Sequence, residues 1–417
     1  MWTQLVLGVM LSTTAWSVPN PTIRYDGHKV LQILPKTIED VHELLSLAKK
    51  YHLDIWKSPR YLNETFDVRV DPEQITDFVN DIEALGLKAN HWITDVQKLI
   101  DEISSGRNRR ATFSIGAFND HASINAYLDS LASANPHVTV HTMGNSYEGR
   151  AIKYVKISNN LGVNKKAIYA DGGIHAREWL AVTTVLYFID QIANNPSRDR
   201  TIDALLGKFD FYFAPVVNPD GYEYSRSHDR MWRKNRRPVI SGCNGVDLNR
   251  NFAYHWNPDN GGSRNPCEEV HAGTHATSEI ETKHLQNFLC SHSNLIAYLN
   301  VHTYGQYWIY PWGYTPILPT DYRDLDHLGR SAATAIRHTH GRTFTVGEDT
   351  RVLYAAAGGA DDYAKGACGV KYSYTVELRD TGLHGFVAPT SYIIPAGEET
   401  FAGFKAFATE LVHYEHL

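Results

Sequence analysis

His175 and Glu178 stand three residues apart in "GGIHAREWLAV", residues 172–182. An imidazole and a carboxylate at that spacing can hold a metal ion from one short segment. They can equally be a polar turn at the start of a helix, where the dipole favours a Glu in the first turn. A catalytic zinc site takes three protein ligands and keeps one position for water, so a third ligand separates the two readings. His302 is the candidate: it closes the apolar run "LIAYLNVH", the same strand-end setting that "KKAIYADGG" gives His175. Two His and one Glu would make a hydrolytic zinc centre. Metal-binding imidazoles are usually oriented through their other nitrogen, and Asp247 in "GVDLNRNF" is the candidate partner for His175. Glu377 lies in the apolar stretch "KYSYTVELRDTG". A carboxylate there is costly unless paired or used, and its place near a strand end makes it the candidate general base.

Side chains from distant segments converge only if a sheet brings the ends of their strands together. Beyond residue 111, "VTVHTM", "AIKYVKI", "KKAIYADGG", "FDFYFAPVV", "LIAYLNVH", "QYWIYP" and "KYSYTVELRD" read as strands. Helical patterns fall at 122–133, 177–194, 277–291, 321–340 and 397–413. The alternation predicts an α/β fold: a mixed, largely parallel sheet with helices on both faces. Ligands in such folds bind beyond the carboxyl ends of strands. Gly172 and Gly173 allow a sharp turn there. Residues 28–106 read as a separate small unit in the order β-α-β-β-α-β, the split pattern of a ferredoxin-like α+β domain. Thr37 and Asp40 form a capping box at its first helix. Asp71, Pro72 and Gly86 mark the cap, first position and stop of its second. "SSGRNRRATF" follows, and Arg107, Arg109 and Arg110 make it a protease-sensitive boundary.

At 417 residues the chain suits two domains or one large one. A net charge of -6 gives no reason to expect nucleic acid as a partner. "MWTQLVLGVMLSTTAWS" is apolar over the length of a signal-peptide core and too short for a membrane span, and Ala15-x-Ser17 is a small-residue cleavage site. A secreted, extracellular protein is expected, with no membrane attachment. Asn63-Glu64-Thr65 is a glycosylation triplet. The cysteines, Cys243, Cys267, Cys290 and Cys368, form no C-x-x-C pair, which argues against a thiolate zinc site.

The motifs "GGIHAREW", "NPDGYEYS", "RMWRKNRR", "GVDLNRNF", "NVHTYGQ" and "SYTVELRDTG" follow one another in order, before a tail from "GFVAP" to "IIPAGEET". In them the chain resembles the zinc metallocarboxypeptidases of the carboxypeptidase A/B subfamily, in their secreted proenzyme form. The resemblance implies an eight-stranded sheet and three parts: a signal peptide at 1–17, an activation propeptide at 18–110 that caps the cleft, and a catalytic domain at 111–417. It implies one Zn2+ on His175, Glu178 and His302, with Glu377 as the base that activates the metal-bound water. Arg233 matches the residue that polarises the scissile carbonyl and stabilises its oxyanion. Asn249 and Arg250 match the pair that holds the substrate's terminal carboxylate, and Tyr354 the mobile tyrosine that closes over it. Arg177, Tyr304 and Phe386 match residues lining the subsites. Cys243 and Cys267 match the common bridge, which leaves Cys290 and Cys368 either paired or free. The implied partners are peptide or protein C-termini and a trypsin-like activating protease, and the implied state is a monomer.

Specificity turns on "AAAGGADDYAKG". Asp361 matches the position at the base of the side-chain pocket, where A-type members are apolar. A buried acid needs a cationic partner, so release of C-terminal Lys or Arg, the B-type preference, is expected. Read as extended, the segment turns Asp362 away from the pocket into a structural role. Asp349 adds negative charge near the opening and favours Lys over Arg. The alternatives are an A-type enzyme releasing apolar or aromatic residues, and a binding paralogue without activity; the latter would be expected to have lost a ligand or the base.

Overall fold

The structure is a computed structural model that describes residues 22–59, 64–104, 113–194 and 199–417. The N-terminal stretch 1–17, Asn63, and the arginines at 107, 109 and 110 lie outside the described residues.

The N-terminal unit runs β1 (Lys29–Ile33), α1 (Ile38–Lys50), β2 (Asp54–Lys57), β3 (Phe66–Val70), α2 (Ile75–Ala84) and β4 (Ala89–Ile93), with α3 (Val96–Ser104) after it. Its strands form one antiparallel sheet in the order β2-β3-β1-β4, as the β-α-β-β-α-β pattern predicts. Thr37 and Asp40 cap α1 reciprocally. The start of α2 differs from expectation: its N-cap is Gln74, not Asp71. The Gln74 N–H donates to Asp71 O at 3.0 Å, so residues 71–74 close a turn before the helix begins. Alternation divides β1 between two cores. Leu31 and Ile33 pack with Leu44, Phe78 and Ile82 of the unit's own helices, whereas Val30 joins the large core downstream.

That larger part contains α4 (His121–Ala134), β5 (Val138–Asn145), β6 (Ala151–Ile157), β7 (Lys166–Gly172), α5 (Trp179–Asn194), α6 (Arg200–Lys208), β8 (Phe209–Ala214) and α7 (Pro219–Ser227). A short hairpin, β9 (Pro238–Ile240) and β10 (Cys243–Asn244), leads to α8 (Ile280–Ser291), β11 (Leu295–His302), β12 (Tyr307–Tyr310) and α9 (Tyr322–His340). β13 (Thr345–Glu348), α10 (Asp349–Val352), α11 (Ala360–Gly366), β14 (Tyr372–Glu377) and α12 (Ile393–Tyr414) complete the chain. The eight-stranded sheet has the order β13-β12-β14-β11-β7-β8-β6-β5. Its centre, β14-β11-β7-β8, is parallel, while β12 against β14, β8 against β6 and β6 against β5 are antiparallel.

Both faces are covered, and alternating residues show it. Ile168, Ala170, Phe211 and Phe213 pack on one side with residues of α5 and α12 such as Val185, Phe188 and Phe404. Ala167, Tyr169, Tyr212 and Ala214 pack on the other with Leu285 and Phe288 of α8 and Ala360 of α11. Apolar strands without polar alternation therefore have a use on each face. Cys243 is bonded to Cys267, and Cys290 to Cys368; the second bridge joins α8 to the segment after α11.

Candidate metal centre and substrate cleft

His175 and Glu178 occupy the turn between β7 and α5, which starts at Trp179 rather than at Arg177. The Glu178 N–H donates to His175 O at 3.2 Å, and the Ala181 N–H to Glu178 O at 3.1 Å. Gly173 has φ +67, and a Cβ there would fall 2.8 Å from Val182 Cγ2. Only glycine fits that left-handed, close-packed position. The turn directs both functional side chains back over the end of β7. Parallel register then brings His302 beside them: Val301 pairs with Gly172, and His302 with Glu377 of β14.

The ligating atoms of His175, Glu178 and His302 lie within 4.8 Å of one another, and all three residues are buried. Nδ1 of His175 is 2.8 Å from Glu178 Oε1, Nδ1 of His302 is 3.0 Å from Oε2, and the two Nδ1 atoms are 3.1 Å apart. The outer nitrogens show why this set suits a cation. Nε2 of His175 faces Asp247 Oδ1 at 3.1 Å, and Nε2 of His302 faces Asn300 Oδ1. Both partners only accept, so each neutral ring keeps its proton on Nε2 and aims the Nδ1 lone pair inward. Two imidazole lone pairs and a carboxylate converging on one point match a zinc site with a position left for another ligand. Burial lowers the pKa of His175, which keeps it in the ligating form. Burial opposes charge on His302 too, but the Glu178 carboxylate outweighs it and raises its pKa. Burial also opposes charge on Glu178, yet the two imidazoles hold its carboxyl far below the usual range.

Glu377, the last residue of β14, has Oε2 buried with no hydrogen-bond partner among the described residues. Burial pushes its pKa up to about 8, so the group is poised to hold and release a proton near neutral pH. Arg233 sits opposite, its Nε and Nη2 donating to Asp247 Oδ2 at 3.1 and 2.9 Å and its Nη1 lying 3.7 Å from Glu178 Oε1. Asp247 thus fixes a histidine with one oxygen and an arginine with the other.

These groups line a cleft of about 1480 Å3 with Arg177, Asn249, Arg250, Tyr304, Tyr354, Asp361 and Phe386. Asp247 stands behind it. Asn249 Oδ1 accepts from the Ala360 N–H at 2.9 Å, which leaves its amide nitrogen to the cleft. Arg250 is buried and braced by Gly261 O and Asn249 O, with Nη2 3.4 Å from the hydroxyl of the 40% exposed Tyr354. A fixed guanidinium beside an exposed phenol can receive a carboxylate.

The specificity segment is helical where an extended run was expected. Asp361 and Asp362 fall in the first turn of α11, so helical rotation, not strand alternation, separates them. The outcome for Asp362 is unchanged, because Oδ1 and Oδ2 accept from the N–H groups of Gly313 and Tyr314 at 2.9 and 3.1 Å. Asp361 lines the cleft, with Oδ2 buried and unpartnered among the described residues. Asp349 lines it from α10. Burial raises the pKa of both, and for Asp349 the charge of Asp361 adds to the rise.

Residues of the N-terminal unit, Asp54 and Trp56 among them, also line the cleft. Asp54 of β2 accepts from Arg177 Nη1 and Nη2 at 2.8 and 3.2 Å, so the arginine expected to face a substrate is held by this aspartate. Trp56 packs edge-on against Phe386 and Tyr304, with centroids 5.2 and 6.5 Å away. The Trp92 Nε1–H donates to Gly382 O at 2.8 Å. Asp54 and Asn300 were not among the expected functional residues. Asn300 was legible in principle, since it interrupts an apolar strand two residues before His302, on the same face. Asp54 offered only its alternation with Trp56 on a face that the unit's own helices leave uncovered.

Residues 124–403 match the family described as zinc carboxypeptidase, and residues 31–103 match the carboxypeptidase activation peptide. Carboxypeptidase B of Astacus astacus is 45% identical over 296 residues, covering 70% of this chain and 96% of that protein. Carboxypeptidase A2 of Mus musculus is 38% identical over 392 residues, covering 91% of this chain and 92% of that one. The crystal structure of thrombin activatable fibrinolysis inhibitor superposes with a TM-score of 0.84 at 31% identity, covering 93% of this chain and 99% of that chain.

Proposed function

Because this chain belongs to the zinc carboxypeptidase family and carries the activation peptide of a proenzyme, we propose that it is secreted and that, once activated, it releases C-terminal Lys or Arg. The proposed parts are a signal peptide at 1–17, a propeptide at 18–110 and a catalytic domain at 111–417. A trypsin-like protease would cut near Arg107, Arg109 or Arg110, where basic side chains meet its specificity. Secretion draws support from the apolar N-terminal stretch and the two disulfides; among the described residues no helix is long and apolar enough to cross a membrane.

The observation that carries the B-type reading is the buried, unpartnered Asp361 Oδ2 in the cleft. Relatives named carboxypeptidase A and carboxypeptidase B both match, so the pocket's own chemistry has to discriminate. A buried carboxylate with no counter-ion is unfavourable until a cation arrives, and a terminal Lys or Arg side chain brings one.

In the proposed mechanism the terminal carboxylate of the peptide binds Arg250 and the amide of Asn249, and Tyr354 closes over it. That restricts the reaction to chain ends. Zinc held by His175, Glu178 and His302 supplies Lewis acidity toward the scissile carbonyl and water. Glu377 takes a proton from the attacking water and delivers it to the leaving amine, a transfer worth roughly 10²–10⁴-fold. Arg233, held rigid by Asp247, donates to the oxyanion, worth roughly 10²–10³-fold. Arg177, Tyr304 and Phe386 contact the upstream residues after the propeptide departs.

One observation favours the A-type alternative: burial raises the pKa of Asp361, and a neutral carboxyl tolerates an apolar side chain. A C-terminal preference profile of the trypsin-treated, zinc-loaded protein separates the two. Lys and Arg are expected to be released fastest; faster release of Phe or Leu refutes the B-type reading.

A further inference from the structure

We propose that Asp171 is a positioning residue for the metal centre: its carboxylate fixes the amide of Asn300, and through it the tautomer and orientation of His302. Asp171 lies on β7 and Asn300 on β11, and the two are direct partners in the parallel ladder. Asn300 Nδ2 donates to Asp171 Oδ1 at 2.6 Å. The Tyr298 hydroxyl donates to Asp171 Oδ2 at 3.0 Å. Tyr298, Asn300 and His302 alternate onto one face of β11. Asp171, Asn300 and Tyr298 have no solvent exposure, so water cannot replace any link.

The donor and acceptor rules leave one arrangement. An ionised carboxylate only accepts, so the Asn300 amino group must face Asp171. Its carbonyl then faces His302 Nε2, and a carbonyl also only accepts. The Nε2 proton is thereby fixed on a neutral ring, and the Nδ1 lone pair must point at Glu178 and His175. Asp247 orients His175 directly; His302 receives the same instruction through one intervening amide. Why position 171 needs an acid follows from the same rules. An Asn there could show Asn300 either of its atoms. The Asn300 amide could then rotate, present its amino group to Nε2 and stabilise the tautomer protonated on Nδ1, which blocks the metal's position.

The direct test needs no substitution. In the metal-free, 15N-histidine-labelled full chain at about pH 9, where imidazole is neutral, long-range 1H–15N spectra are expected to show His302 protonated on Nε2. Protonation on Nδ1 overturns the proposal. By chelator competition, Asp171→Asn is expected to weaken zinc binding roughly 10–100-fold, the range for loss of an orienting partner. The exchange variant Asp171→Asn/Asn300→Asp returns a carboxylate to His302 and an amide behind it, and is expected to regain affinity to within about threefold. A folded Asp171→Asn protein with unchanged zinc affinity and tautomer overturns the proposal. If that variant does not fold, the tautomer of the unsubstituted protein decides. Should the unsubstituted protein take up no zinc, the reading of the metal site fails instead, and the metal-free tautomer still reports on Asp171.

Discussion

Replacing Asp54 by Ala tests whether the N-terminal unit restrains the cleft through a charge pair. The Asp54 carboxylate accepts from Arg177 at 2.8 and 3.2 Å, from Arg69 Nε at 3.3 Å and from Trp56 Nε1 at 3.1 Å. Burial works against its charge, yet Arg177 and then Arg69 hold its pKa below the ordinary value. Removing one partner of a buried ion pair costs about 3–5 kcal/mol, because the other charge is left uncompensated. Arg177 can regain water once the cleft opens, so the lower end applies, about 3 kcal/mol. At about 1.4 kcal/mol per decade, that shifts the docked–undocked equilibrium roughly 100-fold. The assay is hydrolysis of a small substrate ending in Lys by the uncleaved full-length protein. Asp54→Ala is expected to raise that activity by up to about 100-fold, capped by the rate of the activated form. Activation removes residue 54, so the activated forms from both proteins must behave identically, which is an internal control. An uncleaved, folded Asp54→Ala protein no more active than the wild type would refute the role of this pair.

Asp361→Ser is expected to lower kcat/KM for C-terminal Lys by about 10²–10³-fold, the consequence of removing one partner of a buried charge pair. Asp349→Asn should lower it less and affect Lys more than Arg, with Phe substrates unchanged; paired substrates differing only in the last residue measure both. For Glu377, burial raises the folded pKa from 4.5 to about 8, so the folded state holds the proton more tightly than the unfolded one. Stability of the metal-free protein should therefore fall as pH rises from about 4.5 to 8. Urea unfolding of Glu377→Gln, with that slope flattened, is the expected result. Cys290→Ser/Cys368→Ser opens a loop with a sequence separation of 78 and should reduce stability by about 4 kcal/mol, read as a fall in the denaturant midpoint.

Much of the site was legible in the sequence because its parts are local. His175-x-x-Glu178 lies within one turn, His302 and Glu377 end apolar strands, and strand ends of a parallel sheet share one edge. Arg233, Asn249, Arg250, Tyr354 and Asp361 were assigned through the resemblance of their motifs to the zinc carboxypeptidases, since an Arg, Asn, Tyr or Asp at those positions has no chemistry that residue type alone could single out. The β-α-β-β-α-β order of the N-terminal unit was readable from periodicity and caps for the same reason. What sequence could not assign depended on which distant segments meet. The Asp54–Arg177 pair spans a separation of 123 residues, and the Asp171–Asn300 link one of 129; only strand register and docking bring them together. The pairing of Cys290 with Cys368 waited on α8 and α11 lying side by side. At α11 even the local reading failed: the run of Ala, Gly and Asp has no clear period, and packing of Ala360 and Ala364 against the second core made it a helix. Sequence thus determined which chemistry is available. Tertiary structure decided which charges face one another, because those contacts are set by sheet geometry and not by distance along the chain.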